Sequence, residues 1–430
     1  MDIKKILILS TYDTNGAGDA MYKIAQILIS MSFDVKMVVK HQTKHDDFIY
    51  QYNEQIPKKR IRQHIKDYIL SRCKKTEPNI ELKTDHKYLF LSQDESKENI
   101  NPQEFLAQIN FEPEFIFVGI TNEFLNTTDI RNIYEVTKAK VFNIAVDMVH
   151  FTGGCHYAWD CEGYKNDCKN CQAIQTTELK DIAFKNLQVK IKNANEANFN
   201  LLTMSNWTSQ QAYQSKIYNH KSLVSLNSII DTDLLNNKNR HFAKSIFSLE
   251  QDSFYIMAGS YFTSDPRKGF IYFIEAMRLL DNQLNEEIKR KIKIIIISKI
   301  IIKEMENLPF EPIYIDYIKD YRLLGLLYQA TDVFVCTSIE DAGPMMVSEA
   351  MACGTPVVAF DTGIAHSMVI SGENGYLAEL KNVSDLAKGI QSILELSKTE
   401  FEKYSHNCVN KIEEKSSYKY VKGILADIIR

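Results

Sequence analysis

Two hydrophobic patterns alternate along the chain. Short apolar runs are followed by stretches in which apolar residues recur every three or four positions, as expected of parallel strands joined by helices. In the first half, residues 5–10, 34–39, 87–91, 115–121, 140–147 and 200–205 read as strands. Tyr22, Ile24, Ala25, Leu28 and Ile29 mark one face of a helix starting near Ala20, and helices are predicted over 129–138 and 177–197. In the second half, residues 254–259, 291–299, 312–318, 332–338 and 357–360 read as strands. Helices are predicted there over 270–280, 320–329, 345–353, 383–396 and 415–429. This order predicts an α/β protein with two doubly wound, Rossmann-like domains.

At 430 residues the chain exceeds what one hydrophobic core usually holds, which agrees with two domains. A net charge of −4 argues against a nucleic-acid binder. The apolar run at 6–9 is too short for a signal-peptide core or a membrane span, and the run at 292–302 is interrupted by Lys299. A cytoplasmic protein is expected, in which the eight cysteines do not form structural disulfides.

Three local patterns carry chemistry. Thr14-Asn-Gly16-Ala-Gly18-Asp19 lies between a strand and a helix, where backbone N–H groups can approach a diphosphate or a sugar. Arg267 and Lys268 precede a helix in a loop that follows a strand, a suitable place for an anion. After the strand at 332–338, a turn with Glu340, Asp341, Gly343 and Pro344 leads into a helix beginning at Met345 and carrying Glu349. The acids then sit near the C-terminal edge of a parallel sheet, where ligands of open α/β sheets bind.

Two further stretches are distinctive. Cys155, Cys161, Cys168 and Cys171 fall within seventeen residues of the loop 147–174; the C-x2-C half-site suggests a structural Zn site, with His156 an alternative ligand. Residues 57–75 hold Lys58, Lys59, Arg60, Arg62, Lys66, Arg72, Lys74 and Lys75 against Asp67. Ile61, Ile65, Tyr68 and Ile69 would line one helix face, so this stretch is either a solvated amphipathic helix or a contact with an anionic membrane surface.

Asp341 through Glu349-Ala350, followed by Gly354-Thr-Pro356-Val357, resembles the donor-sugar segment of the retaining glycosyltransferases of family 4 (group 1). Phe151-Thr-Gly-Gly-Cys-His-Tyr157 is similar to a loop of a polysaccharide-forming branch of that family. The resemblance implies the GT-B fold, with two domains facing a central cleft: residues 1–218 on the acceptor side, 219–412 binding the nucleotide sugar, and a helix over 413–430 returning to the first domain. It implies transfer of a hexose-type unit from a nucleotide diphosphate sugar to a glycan or lipid-linked acceptor. With Arg267 and Lys268 on the leaving group no catalytic divalent metal is expected, and the basic stretch 57–75 would bring the protein to the inner face of the membrane.

The resemblance also implies roles for individual residues. Asp341, or the neighbouring Glu340, would hold the donor sugar, and Glu349 the ribose or sugar hydroxyls. Arg267 and Lys268 would hold the diphosphate. Gly16, Gly18, Gly343, Pro344, Met345 and Ile318 would line the donor site. On the acceptor side the family's usual His is replaced by Val146, which leaves Asp147, His150 and His156 as candidates. Ser260 stands where many relatives carry an Arg, a place that Arg267 would fill. A non-catalytic sugar-nucleotide-binding protein and a sugar-nucleotide epimerase are the alternatives on the same architecture.

Overall fold

The computed structural model describes residues 3–53, 81–91, 94–219 and 221–430. The basic stretch 57–75, with its proposed membrane contact, lies outside the described residues. The chain divides into two compact units, one of residues 1–143, 149–200 and 215–218, the other of residues 144–148, 201–214 and 219–430.

The first sheet begins with β1 (Lys5–Tyr12), α1 (Asn15–Ser30), β2 (Asp34–His41) and β3 (Ile49–Gln51). It continues through α2 (Pro102–Ile109), β4 (Phe115–Val118), α3 (Thr127–Thr137), β5 (Lys140–Ala145), α4 (Ile182–Glu196), β6 (Asn200–Thr203), α5 (Asn206–Gln214) and β7 (Val224–Ser225). Strand order is β3-β2-β1-β4-β5-β6-β7, and β1 pairs in parallel with both β2 and β4. Ile6 to Leu9 are fully buried, as a central parallel strand covered on both faces requires. The strand predicted over 87–91 does not form. His86–Tyr88 is a 3-10 turn and Leu89 takes a left-handed backbone with φ 45°, which breaks the extended run.

The second sheet follows α6 (Arg240–Ile246) and contains β8 (Phe254–Gly259), α7 (Phe270–Gln283), α8 (Glu286–Lys291), β9 (Ile292–Ile297), β10 (Glu311–Ile315), α9 (Tyr321–Gln329) and β11 (Val333–Cys336). Then come α10 (Met345–Ala352), β12 (Val357–Phe360), α11 (Ala365–Met368), β13 (Gly375–Ala378), α12 (Val383–Leu394), α13 (Lys398–Lys415) and α14 (Tyr418–Ile429). Every neighbouring pair in the order β10-β9-β8-β11-β12-β13 is parallel. The isoleucine run of β9 shows how this sheet is held. Ile295 and Ile297 face a core shared with Tyr328, Val347 and Met351, while Ile294 and Ile296 face one shared with Phe273, Met277 and Ile390. Alternation with period two thus feeds two helix layers, and each buried isoleucine contributes roughly 1.5–3 kcal/mol.

Both sheets therefore have the doubly wound, Rossmann-like arrangement that the sequence predicts. In the second, the order reverses between β8 and β11, a topological switch point. No helix among the described residues is long and apolar enough to cross a membrane.

Candidate functional site

The switch point of the second sheet brings together three of the residues singled out by sequence. After β8, Asp265 accepts the Arg267 backbone N–H at 3.0 Å and opens a short 3-10 turn over Pro266–Lys268. Two contacts pin this turn to the segment leaving β11. The Ile339 N–H donates to the Arg267 carbonyl at 2.7 Å, and the Thr337 hydroxyl donates to the Lys268 carbonyl at 2.8 Å. Gly269, with φ 60°, then starts α7; a Cβ there would stand 2.1 Å from the Thr337 carbonyl oxygen. Only glycine combines that backbone with that approach.

Held this way, the Lys268 ammonium pairs with the Asp341 carboxylate, which also accepts the Gly343 N–H at 3.1 Å. Burial pushes the Asp341 carboxyl up, but the Lys268 charge and hydrogen bond, with Arg267 and the Gly343 N–H adding to them, hold it below the ordinary carboxylate range. The Arg267 guanidinium makes a 2.5 Å contact with Asp265. The expected pair of cations thus splits, Lys268 against Asp341 and Arg267 against an acid of its own turn.

Other predicted residues are placed by separate contacts. Glu349 is buried on α10 and accepts the Tyr328 hydroxyl at 3.2 Å; burial and the nearby carboxylate drive that phenol well above its usual range. Pro344 precedes α10, whose N-terminus has no side-chain cap. Glu340, Met345 and Ile318 are half-buried, and Ile318 packs against the core. At the same edge, Ser260 was noted in the sequence only as the residue in place of an Arg, Tyr317 only as the neighbour of Ile318, and Tyr261 was not singled out. Ser260 Oγ, at the end of β8, is buried without a hydrogen-bond partner among the described residues. Tyr261 and Tyr317, 42% and 44% exposed, meet edge to face at 5.1 Å. Their signal was two tyrosines in loops at the same sheet edge.

In the first unit, Gly18 is required by close approach, since a Cβ would lie 2.7 Å from the Tyr12 carbonyl oxygen. Gly16 has open space but interrupts the helical backbone with φ 18° and ψ −76°. The loop is anchored by Asp13, which the sequence did not single out. It is fully buried and accepts the Thr43 hydroxyl at 2.7 Å and the Thr43 and Lys44 N–H groups at 2.8 and 2.7 Å. Burial raises the Asp13 carboxyl, but these hydrogen bonds outweigh it and leave the group below its ordinary value. Lys44 in turn reaches Asp19 at 2.8 Å.

The acceptor-side candidates differ in setting. His156 is buried and its Nε2 lies 2.7 Å from Asn122 Nδ2, while Thr11 donates to the Asn122 carbonyl at 2.7 Å. His150 is half-buried and Asp147 is buried.

The expected structural metal is not supported. Cys155, Cys161, Cys168 and Cys171 line one cavity of about 230 Å³, yet no group of three or more His, Cys, Asp or Glu among the described residues is arranged to hold a metal ion. Burial pushes the Cys155 and Cys171 thiols up and the Cys168 thiol to about 12, with neighbouring cysteines adding to each shift. Packing closes the loop instead. The Trp159 indole donates to the Lys87 carbonyl at 2.7 Å, Phe90 bridges Cys155, and a Cβ at Gly153 would stand 2.3 Å from the Ala183 carbonyl oxygen.

The fold is that of the GT-B glycosyltransferases. The glycosyltransferase from Rickettsia africae ESF-5 superposes with a TM-score of 0.66 at 13% identity, covering 100% of this chain and 98% of that one. Anabaena HepE, solved in complex with UDP-glucose, gives 0.64 at 14% identity over 99% of each chain. Residues 242–415, which include the Arg267–Lys268 turn and the acid pair, match the family described as glycosyl transferases group 1. A D-inositol 3-phosphate glycosyltransferase of Geodermatophilus obscurus is 38% identical over 73 residues, 17% of this chain and 16% of that protein. An uncharacterized glycosyltransferase of Haemophilus influenzae is 27% identical over 81 residues, 19% of this chain and 23% of that protein. The chain thus spans less than a quarter of the length of these two curated relatives in its matches.

Proposed function

We propose that the protein is a retaining glycosyltransferase that moves a hexose-type sugar from a nucleotide diphosphate sugar to a glycan or lipid-linked acceptor in cell-surface polysaccharide synthesis. The observation that carries this reading is the Lys268–Asp341 pair at the C-terminal edge of the second sheet, inside the segment that matches the family. On donor binding the diphosphate takes Lys268, joined by Arg267, and releases the Asp341 carboxylate to accept sugar hydroxyls; Glu340 is the neighbouring alternative. Glu349 holds ribose or sugar hydroxyls, and the segment at Ile318 meets the base. Residues 219–412 form the donor part and residues 1–218 the acceptor part.

Cations fixed before the reaction stabilise charge as it develops on the leaving diphosphate, so the chemistry requires no divalent metal. The departing phosphate oxygen takes the proton of the attacking hydroxyl on the same face, which retains the anomeric configuration. From its composition, the basic stretch 57–75 is the proposed contact with an anionic membrane surface.

Incubation with UDP-, GDP- and ADP-hexoses tests the reading. The expected result is release of nucleoside diphosphate and a glycoside with the donor's anomeric configuration by NMR. A new sugar isomer without release would support the epimerase, and binding without turnover a binding protein.

Ser260 offers a separate test. A buried hydroxyl without a partner costs about 1–3 kcal/mol, and a ligand phosphate or sugar would satisfy it. Ser260→Ala is therefore expected to raise the melting temperature of the free protein by roughly 2–4 °C and to weaken donor affinity about five- to tenfold. Calorimetry and thermal melts check both signs.

A further inference from the structure

The loop leaving β12 carries a pair of side chains that the donor reading leaves unused. Asp361 Oδ1 lies 2.6 Å from His366 Nδ1 on α11. The Trp207 ring, on α5, meets the imidazole with 5.6 Å between centroids and an interplanar angle of 62°. His366 and Asp361 side chains are 36% and 42% exposed, so the pair adds little to stability and the fold does not require it.

This cluster is built onto the donor turn from two directions. A Cβ at Gly363, between Asp361 and His366, would stand 2.6 Å from the Asp341 carbonyl oxygen and 3.2 Å from Pro344 Cδ. Two residues before Trp207, the Ser205 hydroxyl donates to the Ala342 carbonyl at 2.6 Å. Segments 205–207 and 361–366 are thereby fixed against residues 341–344.

With Nδ1 engaged by the carboxylate, His366 Nε2 has no partner among the described residues, and neither does the Trp207 indole N–H. A carboxylate bound to one ring nitrogen sets the hydrogen-bonding role of the other. An oriented imidazole beside an indole offers one polar contact and one apolar wall, the combination that suits a sugar ring with a hydroxyl rim. We propose that Asp361, His366 and Trp207 form a recognition site for a hydroxyl of the sugar carried by the donor. In it His366 Nε2 makes the contact, while Asp361 and Trp207 orient the ring. The inference rests on the donor reading above.

Calorimetric titration separates the two. The probes are UDP-, GDP- and ADP-hexoses, each paired with its nucleoside diphosphate. His366→Ala and Asp361→Asn are expected to bind the sugar nucleotide about tenfold more weakly, with affinity for the nucleoside diphosphate within about twofold of the parent. His366→Gln, which keeps a donor near the Nε2 position, recovers part of the loss, and Trp207→Phe retains more affinity than Trp207→Ala. Unchanged sugar-nucleotide affinity in His366→Ala overturns the inference alone. Equal losses for both ligands also overturn it, because they mark a structural role. If the parent protein binds none of the probes, the donor reading fails, and this inference with it.

Discussion

Lys268→Met is expected to lower kcat/KM for the sugar-nucleotide donor by about a hundred- to a thousandfold, the range for removing one group that stabilises developing charge. The same change leaves the Asp341 carboxylate, its side chain only 10% exposed, without its cation. Loss of one partner from such a pair costs about 1–3 kcal/mol, less than for a fully enclosed pair because Lys268 is partly solvated. Adding Asp341→Asn removes the stranded charge, so the double variant should recover most of the stability and none of the activity. That split separates a catalytic pair from a structural one.

The acid dependence follows with a definite sign. In the parent protein the Asp341 carboxyl is depressed, so its contribution to stability is present above the unfolded value of 3.8 and is lost as pH falls through the lower folded value. Without Lys268 the effect of burial dominates and the pKa rises. In Lys268→Met the sign reverses: buried Asp341 is destabilising above its raised pKa and is relieved as pH falls, so denaturant melts of the variant should narrow their deficit against the parent toward acid pH.

Gly269→Ala is expected to have the largest effect on stability. It puts a side chain on a φ of 60° and a Cβ 2.1 Å from the Thr337 carbonyl oxygen, a backbone atom that cannot rotate away. The strained conformation costs about 1–2 kcal/mol and the clash adds to it. We expect a loss of about 3 kcal/mol or more, a fall in melting temperature on the order of 10 °C. Activity should fall with it, because the Thr337 contact that places Lys268 is displaced. Gly343→Ala is the internal control. Its Cβ meets nothing closer than 3.8 Å, and Ala keeps the N–H that binds Asp341, so a change below about 1 kcal/mol is expected. Thermal melts of the two variants side by side check the contrast.

The contrast also shows what could be read from sequence. The two sheets were legible because β1 and β9 are short apolar runs buried on both faces, bounded by turns. The turn at 340–344 and the helix start at Met345 were legible because their acids, glycine and proline are contiguous in sequence. Contacts between distant segments were not. Asp13 is fixed by Thr43 and Lys44, thirty residues on, and nothing local distinguishes it from a surface acid. His366 looks like an isolated histidine until Trp207 is brought beside it. Helix α13 was missed because only Ser405, Cys408 and Ile412 of its eighteen residues are buried, too few to set a periodic stripe. The cysteine loop was legible only as a cluster: its four side chains line one cavity, without an arrangement among the described residues that holds a metal ion. Its spacing allowed a tetrahedral site, but spacing does not fix where four side chains point.

The central claim is that the switch point of the second sheet holds a nucleotide sugar through Lys268 and Asp341. Isothermal titration of the full chain with UDP-, GDP- and ADP-sugars, repeated on Lys268→Met, tests it most directly. The account predicts saturable one-to-one binding of at least one sugar nucleotide by the parent protein, and a loss of about tenfold or more in the variant. Binding of equal strength in both proteins, or no binding by the parent, would contradict it.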